Sequence, residues 1–143
     1  MATEITATGP SFVDTNVWLY ALIQAQDAEK SEKAKRIVQN TPGLLASTQV
    51  INEVSVNLIK ALCFSETDIR DVIAAFYSRY HIVEFNQIIL RTASEFRMRY
   101  RLSFWDSLIV ASAFVAGASI LYTEDMHDGL VIEQQLRIEN PFK

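Results

Sequence analysis

The feature that most constrains this chain is the shortness of its apolar segments. Ser11-Phe12-Val13, Leu44-Leu45-Ala46, His81-Ile82-Val83-Glu84-Phe85 and Ser119-Ile120-Leu121-Tyr122 have strand length, and stretches with helical spacing separate them. Short apolar strands alternating with amphipathic helices indicate a parallel sheet covered on both faces. Leu136-Arg137-Ile138 offers one further, short strand. The expected fold is α/β, a three-layer α/β/α sandwich with a short parallel sheet of about five strands. Ligands of such folds bind outside the carboxyl ends of the strands, and this is where a site is sought.

The helices follow from spacing and caps. Val17, Leu19, Tyr20 and Ile23 recur helically after the first strand, and Ala34, Ile37 and Val38 form a stripe within a charged helix over 28–38. Pro42-Gly43 breaks the chain. Thr48 is placed to cap a helix over 49–62, with Val50, Val54, Leu58 and Ala61 on one face. Ser65-Glu66-Thr67-Asp68 reads as a capping box for the next helix, through Ile69, Val72, Ile73 and Phe76. Another helix covers roughly 87–100. Ser103 caps a strongly apolar one over 104–116, which Gly117 stops.

Composition narrows the class. The 143 residues suit one domain, 1–143, with 1–10 a flexible polar lead, and no repeat, low-complexity segment or linker interrupts it. Half the residues are hydrophobic and only four are Gly and three Pro, which excludes a disordered tail. The lead has neither a basic head nor an apolar core, so it does not read as a signal peptide. The longest apolar run, 108–122, is shorter than the about 20 residues of a membrane span and is split by Gly117. A cytoplasmic protein without membrane contact is the expectation. Cys63 is the only cysteine, which excludes an intrachain disulfide, and its setting in Ala61-Leu62-Cys63-Phe64 predicts a buried free thiol. No Cys/His cluster has zinc-ligand spacing. The net charge of −4 argues against indiscriminate nucleic-acid binding. A cluster of acids around divalent metal lowers net charge while the metal restores positive charge locally.

Four acids sit where one sheet edge would collect them. Asp14 directly follows the first strand, and Asp125 follows the strand 119–122 after only Thr123-Glu124. Glu53 lies about one turn into the helix after the second strand, and Asp106 in the first turn of the helix before the fourth. Each has a blander explanation: Asp14 as a helix cap, Asp106 as the end of a Ser103-Phe104-Trp105-Asp106 capping box, Glu53 as a solvated face, Asp125 as part of a surface loop. Their joint placement is the stronger observation. Two carboxylates about 5 Å apart repel by roughly 3 kcal/mol at an effective dielectric near 20. Mg²⁺ or Mn²⁺ reverses that balance, prefers such oxygen ligands, and can activate water against a phosphodiester.

The segments Phe12-Val13-Asp14-Thr15-Asn16-Val17, Ser47-Thr48-Gln49-Val50-Ile51-Asn52-Glu53-Val54, Phe104-Trp105-Asp106-Ser107-Leu108-Ile109-Val110-Ala111-Ser112-Ala113 and Ile120-Leu121-Tyr122-Thr123-Glu124-Asp125 together resemble the four motifs of a PIN domain, in particular its VapC toxin branch. The resemblance runs from Phe12 to about Ile138. It implies a PIN-like fold in which Asp14, Glu53, Asp106 and Asp125 are the metal-holding and catalytic quartet. It further implies that Asn16 orients the first acid and that Thr123 lines the fourth motif. The implied activity is Mg²⁺- or Mn²⁺-dependent endoribonuclease cleavage leaving a 5′-phosphate and a 3′-hydroxyl. The implied partners are RNA, a small VapB-type antitoxin, and a second copy in a homodimer. Glu124 and Asp128 stand close enough to Asp125 to share its role.

On the substrate side, Arg91, Arg97, Arg99 and Arg101 form a basic run before Asp106. On a continuous helix Arg97 and Arg101 share a face and can contact flanking phosphates, while Glu95 can pair with Arg99. A solvated helix with local ion pairs is the plainer reading. Tyr100 and Trp105 can stack on bases, although Trp105 beside Phe104 reads first as core. His127 reads as a solvated loop residue. A haloacid-dehalogenase-type phosphatase would show D-x-D where this chain has Asp14-Thr15-Asn16. Two alternatives stay open: a PIN-like module that binds RNA or protein without cutting, and a PIN nuclease of RNA processing with no antitoxin.

Overall fold

The computed structural model describes residues 9–23 and 27–143. The chain runs β1 (Ser11–Val13), α1 (Thr15–Leu22), α2 (Ala28–Asn40), β2 (Leu44–Ser47), α3 (Thr48–Leu62), α4 (Glu66–Arg79), β3 (His81–Val83), α5 (Gln87–Tyr100), α6 (Phe104–Val115), β4 (Ile120–Tyr122), β5 (Val131–Ile132) and β6 (Leu136–Glu139). All strands join one sheet in the order β3-β2-β1-β4-β6-β5, parallel except where β5 meets β6. The α/β expectation holds, with a mostly parallel central sheet and six helices.

The strand order fixes where a site can lie. From β1 the chain steps outward to β2 and β3, then returns to β4 on the other side of β1. Right-handed crossovers send the helices of these two excursions to opposite faces. The packing agrees: α1 meets α2 and α3, α3 meets α4, and α5 packs on α6. The direction reverses between β1 and β4, whose carboxyl ends Val13 and Tyr122 are register partners. That switch point is the crevice in which α/β folds bind ligands.

Burial follows the apolar pattern. β1 and β2 are buried throughout, and α6 is buried continuously from Ser107 to Ala113. Each fully buried Val, Leu or Ile contributes about 1.5–3 kcal/mol over leaving it in water. Trp18 ties α1 back to β1 by donating its indole N–H to the Val13 carbonyl at 3.0 Å, and its ring meets those of Phe76 and Tyr80 edge-on. The Ser65–Asp68 capping box is formed as expected. No helix among the described residues is long and apolar enough to cross a membrane.

Several expectations are corrected. Beside the about five parallel strands expected, the sheet carries one more, because the chain doubles back through Glu133 and Gln134 and lays β5 antiparallel on β6. Glu133 and Gln134, the central residues of a turn closed by the Gln135 N–H on the Ile132 carbonyl, both have positive φ, but neither is the Gly or Asn that usually marks such a turn. The cap of α3 is Ser47, whose hydroxyl accepts the Val50 N–H at 3.3 Å, and not Thr48. Cys63 is exposed and not buried: it ends α3 in the left-handed conformation, φ 54°, beyond the point where that helix leaves the core, and Ala61 is exposed with it. Of the lead expected to be flexible, residues 1–8 lie outside the described residues. Gly9 and Pro10 are fastened to Ser119 through their carbonyls. A Cβ on Gly9 would stand 2.6 Å from the Gly117 carbonyl oxygen, so that approach requires glycine.

Candidate functional site

At the switch point, Asp14 leaves β1 and turns into α1. One of its carboxylate oxygens accepts the Thr15 N–H at 2.7 Å, and the other accepts the Thr123 hydroxyl at 2.9 Å. The helix-cap explanation is therefore true of this residue without exhausting it. Asp14 is only 7% exposed. Burial pushes its carboxyl up to about 6, against the pull of the Thr123 and Thr15 hydrogen bonds, and the charges of Glu53 and Asp106 push it further the same way. An acid this buried, facing two more acids, is short of positive charge.

Asn16 joins the two strand ends. Its amide nitrogen donates to Asp125 at 2.9 Å and Thr123 at 3.2 Å, and reaches Asp14 at 3.5 Å. Its carbonyl oxygen accepts the Glu124 N–H, and Thr123 also receives the Asp125 N–H. Because Thr123 is fully buried, this network locks the loop after β4 onto the start of α1.

The other two acids ride on helices. Glu53, exposed on α3, accepts the Gln49 side-chain amide at 2.9 Å, one turn earlier on the same helix. Asp106, half-buried, sits in the first turn of α6, where its N–H is received by Ser103 at 3.3 Å. Gln49 also reaches the Trp105 carbonyl at 3.5 Å and so links the two helices. A cleft of about 220 Å³ is lined by Asp14, Asn16, Glu53, Asp106 and Asp125 together with Gln49 and Trp105 among others. Among the described residues, no Lys, Arg or His lines it. A larger hollow of about 620 Å³, between α1, α2, α3 and α4, carries no acid and is not this site.

The neighbours of Asp125 are held elsewhere. Glu124 turns away from the cleft, paired with Lys30 at 2.7 Å and accepting the Tyr20 hydroxyl at 3.1 Å. Asp128 accepts the Asn140 N–H at 2.8 Å and lies near Lys143. His127 is exposed. The basic run also differs from its expectation. The helix α5 ends at Tyr100 and Arg101 caps it at φ 55°, so Arg97 and Arg101 do not share a helical face. Arg97 donates to the Ser107 hydroxyl at 2.8 Å and lies over the Phe104 ring at 4.5 Å, bracing the turn that carries Asp106. Arg99 pairs with Glu133 and not with Glu95, because β5 brings Glu133 to it. Arg91 is exposed, and the Tyr100 hydroxyl receives the Glu133 N–H. Trp105 is 62% exposed and is not core.

Gln49 and the bracing role of Arg97 were missed from sequence. Only the spacing of Gln49 and Glu53, four apart on a helix, offered a signal.

The donor set suits a hard divalent cation: carboxylate oxygens, a neutral amide, and no competing base. Among the described residues, no three acidic, histidine or cysteine side chains already close into a cage. Mg²⁺ does not need one, since it commonly takes one or two carboxylates and keeps its waters. The shared cleft and the raised Asp14 carboxyl therefore fit such an ion.

Comparison with known proteins agrees with this architecture. The family model for the PIN domain matches residues 11–127. No curated protein matches the sequence. Among solved structures, the chain resembles a toxin–antitoxin complex from Klebsiella pneumoniae, with TM-score 0.69 and 22% identity over 92% of this chain and 97% of that one. It is similar to the toxin VapC20 of Mycobacterium tuberculosis, which cleaves the sarcin–ricin loop, with TM-score 0.65 and 22% identity over 80% and 89% of the two chains. FitAcB from Neisseria gonorrhoeae gives 0.66 and 15% over 92% and 98%. At these identities the likeness is one of fold.

Proposed function

The chain belongs to the PIN domain family, and from that premise we propose that it is a metal-dependent endoribonuclease, the toxin of a VapBC-type pair. The observation that carries this reading is the single cleft shared by Asp14, Glu53, Asp106 and Asp125, which arrive from four different elements. These four residues would hold Mg²⁺ or Mn²⁺. The bound ion supplies Lewis acidity toward a phosphoryl oxygen and lowers the pKa of water.

The chain's own residues supply positioning. Asn16 and Thr123 hold Asp14 and Asp125 in one orientation through the hydrogen bonds between the two strand ends. Gln49 steadies Glu53. Arg97 steadies the turn of Asp106 from behind, and Arg101, exposed at the end of α5, is placed to meet flanking phosphate. A nuclease cutting in this way leaves a 5′-phosphate and a 3′-hydroxyl. RNA as substrate is supported by the likeness to a toxin that cleaves the sarcin–ricin loop, and a small VapB-type antitoxin by the likeness to a toxin–antitoxin complex. The proposal extends to a cytoplasmic homodimer, which the resemblance to VapC-type toxins implies.

Incubation of the purified protein with RNA and Mg²⁺ or Mn²⁺ should yield cleavage that EDTA abolishes. Asp106→Asn should remove it while leaving thermal unfolding near wild type. Cleavage that persists in EDTA, or undiminished in that variant, contradicts the assignment.

A further inference from the structure

Beside the acidic cleft lies a second hollow of about 580 Å³, lined by Thr48, Gln49, Asn52, Glu53, Phe85 and Trp105. Its volume is that of an ordinary small-ligand site. It is continuous with the cleft, because Gln49, Glu53 and Trp105 line both. Trp105 immediately precedes Asp106 and is 62% exposed, while Phe85 across the hollow is 38% exposed. An indole left this bare is an unusual use of the residue, and the core does not require it.

The indole is nevertheless held. Phe104 meets it edge-on, with centroids 5.3 Å apart and planes at 79°. Arg97 lies over Phe104 and is itself anchored on Ser107. The Trp105 carbonyl is reached by Gln49. A braced, solvent-facing aromatic ring with amide side chains nearby can stack a flat heterocycle and bond its edge. Charge says which part of a nucleic acid this would be. Among the described residues no Lys or Arg lines the hollow, so a phosphate would find its counter-charge only at a cation in the neighbouring cleft, and the hollow itself suits a neutral base.

We propose that this hollow is a nucleobase subsite, in which Trp105 stacks on an unpaired base next to the phosphodiester that lies in the acidic cleft, with Phe85 as the facing wall and Asn52 and Gln49 at the base edge. The proposal rests on the reading of the chain as a nuclease acting on RNA. It assigns the hollow to single-stranded substrate, since a base within a helix would first have to be unpaired and unstacked to enter.

The test is steady-state cleavage and equilibrium binding of a short single-stranded RNA, compared with the same RNA made abasic at one position at a time. Wild-type protein, Trp105→Ala and Trp105→Phe are measured with Mn²⁺, and sedimentation and thermal unfolding are recorded for each. Trp105→Ala should raise KM about 10-fold, with kcat changed much less, and Trp105→Phe should recover most of the loss. One abasic position should cost the wild type a similar factor and cost Trp105→Ala nothing more. An unchanged KM in Trp105→Ala, or an equal abasic penalty in both proteins, overturns the proposal. So does a loss of activity that accompanies dissociation of a dimer while the abasic penalty persists; the ring would then belong to an interface between copies. Trp105-dependent binding without cleavage by the wild type supports the subsite and refutes the nuclease reading. Neither binding nor cleavage refutes both.

Discussion

The two halves of the acidic cleft are built differently. Asp14 and Asp125 emerge at adjacent strand ends and are cross-linked by Asn16 and Thr123, so their positions are set by the sheet register and a buried network. Glu53 stands in the second turn of α3 and Asp106 in the first turn of α6, and they are held by a local cap, by Gln49 and by the Arg97 brace. The strand-end half is cross-linked, and within it Asp14 carries the cost of burying charge. The helix half can adjust when a cation or substrate arrives. A site of this kind combines one preorganised wall with one adaptable wall.

The sharpest way to break the comparison is to neutralise one acid from each half. Asp14→Asn should reduce RNA cleavage by more than about 100-fold, and raising Mn²⁺ should not restore it. Glu53→Gln should lose activity at low Mn²⁺ and regain a measurable part at high Mn²⁺, because a looser ligand is more readily replaced by water. Equal rescue of both variants would erase the distinction. Next in size, Asn16→Ala and Thr123→Val should each cost about 10–100-fold in Mn²⁺ affinity or activity, the range for residues that orient metal ligands.

The pH dependence of stability probes the strand-end half alone. In the folded chain the Asp14 carboxyl titrates at about 6 instead of its ordinary 3.8. Between those values the folded chain holds a proton that the unfolded chain has released, so stability falls as pH rises through this window. The loss from this group is at most about 3 kcal/mol. Denaturant unfolding without divalent ions should show the decline from pH 4 to 7. Asp14→Asn should flatten it, and Mn²⁺ should recover stability at pH 7. A stability that rises through this window in the wild type and falls in Asp14→Asn would contradict the assignment. The smallest effect concerns the helix half: Arg97→Ala should weaken Mn²⁺ binding a few-fold by loosening the Asp106 turn. Its slope of RNA binding against salt should stay that of the wild type, whereas a phosphate contact would lower it by about 1.

What could be read in advance separates along the same line. The motif around Asp14, the apolar strand segments and the caps at Ser65 and Ser103 are short-range patterns, and they predicted the sheet edge and the elements on it. The motif favoured Asp125 over its neighbours; what it could not show is that Lys30 and Tyr20 draw Glu124 away and that Asn140 holds Asp128. Those partners are distant in sequence or lie in the C-terminal segment. The exposure of Trp105 was hidden for a related reason: its place in an apolar run suggested core, and only the docking of α6 decides which face the first turn presents. Likewise Arg99 finds Glu133 only once β5 has folded back, a turn whose residues carry no Gly or Asn signal.

The central claim is that four acids from four elements make one divalent-cation site. It is tested most directly by Mn²⁺ binding, followed by electron paramagnetic resonance, in the wild type, Asp14→Asn, Asp106→Asn and Glu124→Gln. The account predicts saturable binding in the wild type and Glu124→Gln, and its loss or strong weakening in Asp14→Asn and Asp106→Asn. Binding untouched by Asp14→Asn and Asp106→Asn, or lost on Glu124→Gln alone, would contradict it.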